Sequence, residues 1–256
     1  MTNHETDIRR RARQLGLYGL LAHWERLKEA AWLSELLDIE EVERARRSLE
    51  RRISGARVGR FKPMADFDWD WPDRIDREQI EELFELSWVG EAANVVLVGP
   101  NGVGKTMIAK NLAHQAVLRG TTVLCVTASQ LLNDPAAQDG TIALQRRVRH
   151  YVRPTLLAID ELGYLSYDNR HADLLFEVVT RRYGLKSILI TTNKPFAEWS
   201  EVFPSATCVV TLVDRLVHNA EIVAVEGTSY RLKEAKEKAE VKSKQRAEKR
   251  NRKNDK

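Results

Sequence analysis

The sequence of 256 residues predicts an α/β fold with a mostly parallel sheet flanked by helices, preceded by a small helical domain. Short apolar runs such as Val95–Val98, Leu156–Ile159 and Ser187–Thr192 are typical of strands that are buried on both faces. Helical patterns lie between them, for example at Ala172–Tyr183, where apolar residues share one face. Because strands alternate with helices, right-handed crossover connections and a parallel sheet are favoured.

Residues 1–60 are predicted to form the helical domain. Apolar side chains recur there at helical spacing, at Ile39, Val42, Ala45, Leu49 and Ile53. Another face of the same helix carries the arginines Arg44, Arg47 and Arg51. These arginines are candidates for contacts with nucleic acid phosphates. The alternative, a solvated helix face paired with nearby glutamates such as Glu40 and Glu43, stays open.

Residues 61–76 are predicted to be a linker that lies as a strap on the following domain, which spans residues 77–232. The motif Phe67-Asp68-Trp69-Asp70-Trp71-Pro72 alternates aromatic and acidic side chains. Its rings could stack on bases. The interleaved aspartates repel phosphates, however, so a strap packed on the core is favoured over a nucleic acid contact.

The most informative motif follows the first predicted strand. Its residues, Gly99-Pro100-Asn101-Gly102-Val103-Gly104-Lys105-Thr106, match the pattern G-x-x-x-x-G-K-[ST] between an apolar run and a helical pattern. Glycines allow such a loop to wrap closely around phosphates, and the N–H groups that begin the helix point at them. Lys105 would reach the β- and γ-phosphates, and the hydroxyl of Thr106 would bind Mg²⁺. The loop therefore predicts a nucleoside triphosphate site.

Polar residues end two further predicted strands. Asp160 and Glu161 follow one apolar run, and Asn193 follows another. The carboxyl ends of parallel strands form the edge where α/β proteins bind ligands. Asp160 suits the Mg²⁺ shell, Glu161 suits polarisation of the attacking water, and Asn193 is placed to reach the γ-phosphate or that water. A terminal Asn is commonly a cap or turn residue, so its assignment depends on the two acidic residues and the loop.

Positive charge is concentrated at the carboxyl end. The net charge is +4, and residues 233–256 contain eleven Lys or Arg against five Asp or Glu, a net +6 that leaves −2 for the rest. This predicted basic tail is either simply solvated or in contact with nucleic acid phosphates without sequence preference. Two cysteines and the lack of an apolar run long enough to cross a membrane favour a reduced, cytoplasmic protein with no membrane partner.

Several sequence blocks together resemble one family. They are Asp160-Glu161-Leu162-Gly163-Tyr164, Leu174-Leu175-Phe176 with Arg182-Tyr183, Thr191-Thr192-Asn193 with Glu198-Trp199, Asp214-Arg215-Leu216-Val217-His218 and Gly227-Thr228-Ser229-Tyr230-Arg231. From about Leu33 to Leu232 the chain resembles the IstB helper ATPases of IS21-type insertion sequences, which are related to the DnaC helicase loaders within the AAA+ superfamily. The Asp-Glu-Leu-Gly-Tyr and Asp-Arg-Leu-x-His blocks are more selective than the phosphate loop.

The resemblance implies an AAA+ P-loop ATPase with ATP and Mg²⁺ as cofactors. It also implies a homo-oligomer that binds duplex DNA, carries ATP at its subunit interfaces and delivers the DNA to a partner transposase. Nothing in the sequence resembles the acidic triad of a transposase, so the chemistry on DNA is expected to belong to that partner.

Two arginines take their expected roles from the resemblance. Arg215 resembles the arginine finger that stabilises developing charge on the γ-phosphate of a neighbouring subunit, and an ion pair with Asp214 or Glu221 stays open as its alternative. Arg231 is a candidate sensor-2 arginine. The segment from residue 193 to residue 230 has no room for the separate multi-helix lid of larger AAA+ proteins, which weakens that second assignment.

Two other classes of function compete with the transposition helper. A helicase loader would bind a replicative helicase and prefer single-stranded DNA, and loaders often carry a larger amino-terminal grip domain or a zinc module that this sequence lacks. A metabolic P-loop kinase would need an acceptor pocket and lid arginines rather than the Asp-Glu pair. The helper is therefore favoured, with the loader as the alternative.

Overall fold

The computed structural model describes residues 3–164, 167–203, 207–239 and 242. The chain divides into two compact units between Ser54 and Gly55. This division precedes the predicted boundary at residue 60, and the predicted strap at 61–76 belongs to the second unit. Most of the predicted basic tail, residues 240, 241 and 243–256, lies outside the described residues.

The first unit is helical, which confirms the prediction of an amino-terminal helical region. Its helices are α1 (Asn3–Gln14), α2 (Tyr18–Ala22), α3 (Trp24–Leu27) and α4 (Leu33–Ala56), the last of which runs two residues into the second unit. Their buried apolar side chains form one cluster of Ile8, Ala12, Leu15, Trp24, Leu33 and Leu37.

The apolar stripe predicted on α4 is not the buried face of this helix. Ile39, Val42 and Ile53 are 54%, 67% and 46% exposed. Of α4, only Leu33 and Leu37 in its first turns belong to the buried apolar cluster, whereas the contacts further along, from Arg11 to Glu41 and from Arg44 to the Leu15 carbonyl, are polar. The remaining turns have no comparable partner within the described part of this unit, so helical spacing predicted the helix but not the side that is covered.

A six-stranded sheet forms the centre of the second unit. The strands are β1 (Arg74–Ile75), β2 (Asn94–Val98), β3 (Val123–Thr127), β4 (Leu156–Leu162), β5 (Ser187–Thr192) and β6 (Ala220–Glu226). Their order across the sheet is β1-β6-β2-β5-β4-β3, with β1 antiparallel to β6 and all other neighbours parallel. The predicted mostly parallel sheet is confirmed, and the carboxyl ends of β2–β6 meet at one edge.

Nine helices of the second unit are described. They are α5 (Arg77–Leu83), α6 (Ser87–Gly90), α7 (Lys105–Leu118), α8 (Ala128–Ala136), α9 (Thr141–Val152), α10 (Asn169–Arg182), α11 (Trp199–Val202), α12 (Val209–Val217) and α13 (230–239). The crossover through α7 runs across the sheet in the opposite direction from the later ones. Because crossovers are right-handed, α7 covers one face and α8–α12 cover the other.

Buried side chains fix these layers. Leu157, Ile159 and Ile190 of the sheet pack in one cluster with residues of α8, α10 and α12 such as Leu131, Leu175 and Leu212. The fully buried Arg182 donates hydrogen bonds to the carbonyl oxygens of Tyr151, Val152, Pro154, Thr155 and Ser187. It thereby ties the end of α10 to the starts of β4 and β5. Among the described residues, no helix is both long enough and apolar enough to cross a membrane.

Candidate nucleotide-binding and active site

The Gly-rich loop Gly99–Thr106 joins the buried strand β2 to the start of α7. Gly104 lies immediately before the helix with φ at +104°, and a Cβ at this position would come within 2.5 Å of the Phe67 ring. At Gly102, φ is +86° and a Cβ would overlap the side chain of Ser229. Both positions therefore require glycine, because the backbone is left-handed and its neighbours approach closely. The shape of the loop is set from two sides, by the strap and by the segment before α13.

The surroundings of the Lys105 ammonium favour the binding of an anion. Its side chain is only 4% exposed, and its ammonium group donates to the carbonyl oxygens of Gly99 and Pro100, both at 2.7 Å. Burial lowers the pKa of Lys105 to about 8, while Asp160 raises that pKa and Arg231 lowers it. Neutral carbonyls compensate a buried charge only in part, so a phosphate would be the stronger partner for this ammonium.

Asp160 and Thr106 meet at the carboxyl edge of the sheet. The Thr106 hydroxyl donates to Asp160 Oδ1 at 2.9 Å, and the Thr191 hydroxyl donates to the same oxygen at 2.5 Å. The two oxygens that the sequence assigned to Mg²⁺ are therefore neighbours, joined by a direct hydrogen bond. Hydroxyl and carboxylate oxygens beside a phosphate-binding loop are the ligand types that Mg²⁺ prefers, so these residues fit the ion.

Glu161 follows Asp160 in an unusual backbone conformation. Its φ is +65°, which is left-handed and rare for a residue other than glycine. Its side chain lines the same cavity as Lys105 and Thr106. Glu161 and the phosphate loop therefore border the same space.

The cavity beside the phosphate loop has a volume of about 350 Å³, within the range of ligand pockets. Its lining comes from the loop, from Glu161 and Tyr164, from Arg231, and from strap residues that include Phe67, Asp68 and Trp71. Burial and the nearby carboxylates of Glu161 and Asp160 raise the pKa of Tyr164, whereas Arg231 lowers that pKa. Arg231 lies near the phosphate loop because α13 begins beside the loop, and the residues that the structure describes form no separate multi-helix lid.

The strap and α13 contact each other at the mouth of this cavity. Trp71 donates its indole N–H to the Thr228 carbonyl at 2.9 Å and lies edge-on to Tyr230, with ring centroids 5.9 Å apart. Lys233 pairs with Asp68 at 3.2 Å and lies over the Trp71 ring at 4.3 Å. The Tyr230 N–H donates to the Gly102 carbonyl at 3.0 Å.

The aromatic strap motif is visible in the sequence, but the sequence did not predict that it lines the cavity beside the phosphate loop. In the sequence, Tyr230 is distinguished only as a member of the family block Gly227-Thr228-Ser229-Tyr230-Arg231. The alternation Phe67-Asp68-Trp69-Asp70-Trp71 was the available signal for the strap. The residues that complete the pocket are more than a hundred positions apart, so local pattern alone does not connect them.

Asn193 lies just past the end of β5, beside the turn at Gly163 that follows β4. Its side-chain oxygen is buried and has no hydrogen-bond partner among the described residues. A Cβ on Gly163 would lie 3.2 Å from that oxygen. Buried polar atoms in native structures are nearly always hydrogen-bonded, so this one is placed for a water or a ligand group. Asn193 does not itself line the cavity.

Arg215 lies at the opposite edge of the sheet from the phosphate loop. It is on α12, beside a cavity of about 370 Å³ that is also lined by residues at the starts of strands, Asn94 and Ile188. Its guanidinium donates to the Thr180 hydroxyl and lies 4.8 Å from the centre of the Phe176 ring. The alternative acidic partner Glu221 instead accepts a hydrogen bond from Gln79 at 3.0 Å. Arg215 therefore does not complete the cavity of its own chain.

The three amino-terminal arginines are exposed on α4 within the first unit. Arg44 pairs with Glu40 at 2.8 Å and also donates to the Leu15 carbonyl. Arg47 donates to the Glu43 carbonyl at 3.3 Å and lies 4.0 Å from Glu40. Arg44 thus has a structural role between helices, while Arg47 and Arg51 present their charge to solvent.

One family of known proteins matches most of this chain. The model of the family of IstB-like ATP binding proteins matches residues 12–239. A Geobacillus stearothermophilus protein described as a putative ATP-binding protein of insertion sequence IS5376 is 36% identical over 79% of this chain and 81% of its own length. A Pseudomonas aeruginosa protein described in the same way for IS21 is also 36% identical, over 75% of this chain and 72% of its own.

Solved structures share the fold at low sequence identity. DnaI is 16% identical with a TM-score of 0.53, over 65% of this chain and 89% of its own. The replication initiator DnaA, bound to AMPPCP and single-stranded DNA, is 18% identical with a TM-score of 0.51, over 64% of this chain and 52% of its own. These likenesses show a shared fold over about two thirds of this chain.

Proposed function

Because the chain belongs to the IstB-like ATP-binding proteins, a family of AAA+ ATPases of insertion sequences, we propose that it is an ATP-dependent transposition helper. In this proposal it assembles on duplex DNA and recruits or activates a partner transposase, and ATP hydrolysis controls the assembly. The observation that carries the proposal is the single cavity that brings together Lys105, Thr106 and Glu161 on such a chain.

Residues in and beside the cavity have distinct tasks in the proposed ATP hydrolysis. Lys105 exchanges its carbonyl partners for the β- and γ-phosphates, and Arg231 approaches the same phosphates from α13. Thr106 and Asp160 would hold Mg²⁺, which neutralises phosphate charge when bound. Glu161 polarises the attacking water as a general base, and Asn193 orients that water or the γ-phosphate.

The position of Arg215, the proposed arginine finger, supports an oligomer with ATP between subunits. Arg215 lies at the edge of the sheet remote from its own phosphate loop, so it would act on the nucleotide of a neighbouring copy. ATP would then stabilise the interface by mass action, and hydrolysis would weaken it. This coupling is the means by which nucleotide state would control assembly on DNA.

The helicase-loader alternative has less support. Relatives that match most of this chain at 36% identity are insertion-sequence proteins, whereas the likeness to DnaI is one of fold. Duplex DNA and a transposase therefore remain the proposed partners, with Arg44, Arg47 and Arg51 as candidate DNA contacts.

A pair of variants tests the proposed ATPase mechanism. Glu161→Gln should bind a fluorescent ATP analogue normally but lose turnover by about 10²-fold or more, because the side chain no longer accepts a proton. Lys105→Ala should instead lose tight nucleotide binding. Titration with the analogue and phosphate-release kinetics separate the two effects. Full turnover by Glu161→Gln would remove this residue from its assigned role.

A further inference from the structure

The strand that ends in the two acidic residues is irregular where it pairs with β5. Ile159 pairs with Ile190, and the next paired residues are Leu162 and Thr192. Three steps along β4 therefore correspond to two steps along β5, which is a β-bulge. Bulges bend a strand and redirect a side chain, and they are common beside active sites. Glu161, with φ at +65°, lies inside this bulge.

One buried hydroxyl occupies the gap opened by the bulge. Thr191 is 1% exposed, and its Oγ1 accepts the backbone N–H of Glu161 at 2.9 Å. The same hydroxyl donates its own proton to Asp160 Oδ1 at 2.5 Å. Thr191 thus uses both its donor and an acceptor position, on two consecutive residues of the site.

These two hydrogen bonds have different consequences. The bond to the Glu161 amide satisfies an N–H that the bulge removes from the strand ladder, and so stabilises a backbone conformation that is otherwise unfavourable. The bond to Asp160 supports the carboxylate oxygen that also accepts from Thr106. A single side chain therefore fixes the direction of Glu161 relative to Asp160.

We propose that Thr191 is a positioning residue for hydrolysis, which sets the direction of Glu161 through the bulge while leaving nucleotide binding to the phosphate loop. This inference rests on the proposed ATPase function and adds a residue to it. Removal of the hydroxyl frees the Glu161 backbone and displaces its carboxylate from the attacking water. A displacement of about 1 Å can lower a rate by about 10²-fold.

The decisive variants differ only in the hydroxyl. Thr191→Val keeps the shape of the side chain but removes both hydrogen bonds, and kcat should fall by about 10- to 100-fold while KM and ATP-analogue affinity stay within about threefold. Thr191→Ser keeps the hydroxyl and should restore kcat to within about threefold of the parent chain. Ser187→Ala is the matched control, because Ser187 is a buried hydroxyl at the other end of β5 and should not affect kcat.

Two further measurements distinguish positioning from general damage. In the nucleotide-free protein, hydrogen exchange of the peptide spanning residues 159–163 should be faster in Thr191→Val than in Thr191→Ser, because the Glu161 amide has lost its acceptor. In a Glu161→Gln background, Thr191→Val should cause little additional loss of kcat, because its effect acts through Glu161. If the valine variant does not fold, as judged by its melting curve, Thr191→Ala takes its place.

The results separate this inference from the proposed function. Normal kcat in folded Thr191→Val, or an equal loss of kcat in the parent chain and in the Glu161→Gln background, would overturn the positioning role. Full turnover by Glu161→Gln alone would instead overturn the proposed ATPase mechanism, whatever Thr191 does. If Thr191→Ser and Thr191→Val both have a low kcat, packing of the side chain rather than its hydroxyl matters. This result would also overturn the inference.

Discussion

At the scale of single residues, the surroundings of His150 in the second unit provide one source of pH-dependent stability. His150 on α9 is partly buried beside Tyr151, and its Nε2 atom has no partner among the described residues. Burial lowers the pKa of His150, the nearby charges of Arg147 and Arg57 lower it further, and Asp134 raises it. The folded protein therefore resists protonation at a pH where the unfolded chain accepts a proton.

This difference predicts a loss of stability in mild acid. The contribution of neutral His150 is present above the ordinary pKa of 6.5 and is lost as the pH falls below that value, because the unfolded state then binds the extra proton. In His150→Gln the free energy of unfolding should depend less steeply on pH between about 7 and about 5. Urea unfolding at several pH values measures this slope. The exposed His4→Gln serves as control, and an unchanged slope in His150→Gln would contradict the prediction.

At the scale of elements, the strap and α13 together form one wall of the nucleotide cavity. The strap reaches the sheet only through β1, and α13 lies outside the sheet. Trp71, Tyr230 and Lys233 join the two segments, and Lys62 pairs with Glu234 at 2.9 Å. Gly104 lies against Phe67 of the strap, and Gly102 lies against Ser229, which immediately precedes α13.

The wall predicts a specific effect on nucleotide affinity. Trp71→Ala removes the contacts with Tyr230 and Lys233, and aromatic pairs of this kind contribute about 0.5–1.5 kcal/mol beyond burial. Affinity for an ATP analogue should fall about tenfold, with the fold intact by circular dichroism. Trp32→Ala in the first unit, where the side chain is 50% exposed, is the matched control. An unchanged affinity in Trp71→Ala would show that the strap only covers the core.

Local pattern predicted the elements of this fold better than the contacts between them. The phosphate loop and the apolar strands were recognisable because glycine spacing and buried strand runs are properties of consecutive residues. The sequence placed Thr191 in a strand and in a family block but gave it no role, since its hydrogen bonds depend on a bulge in another strand. The exposed stripe on α4 shows the same limit, because periodicity predicts a helix without identifying its partner.

At the scale of the whole molecule, the basic tail and the ATPase unit should be separable. Residues 240–256 contain eight Lys or Arg against three Asp or Glu, whereas Lys233 and Glu234 lie on α13 and pair with the strap. A truncation after Ala239 therefore removes much of the positive charge but keeps the wall of the cavity.

This truncation should weaken duplex DNA binding and make it less dependent on salt. The slope of log K against log salt should change by about 0.9 for each phosphate contact that is lost. ATP-analogue affinity should stay as in the full chain. Fluorescence anisotropy at several salt concentrations measures the slope, and an unchanged slope would show that the tail is only solvated.

Mixing two inactive variants tests the proposed role of Arg215 as an arginine finger. Arg215→Ala and Lys105→Ala should each lack ATPase activity, but a mixture should recover part of it, because some interfaces then combine an intact loop with an intact finger. Pull-down of one tagged variant by the other establishes that the two co-assemble. Co-assembly without recovery would favour a structural role for Arg215, consistent with its contacts to Thr180 and Phe176.

The two carbonyl partners of Lys105 have a consequence for the catalytic cycle. The Gly99 and Pro100 oxygens hold the ammonium beside the loop, so the protein's own hydrogen bonds fix the position of this charge. Phosphate binding would then exchange one set of oxygen partners for another. The conformational entropy lost in ordering the loop is therefore lost during folding, and it is not lost again in each catalytic cycle.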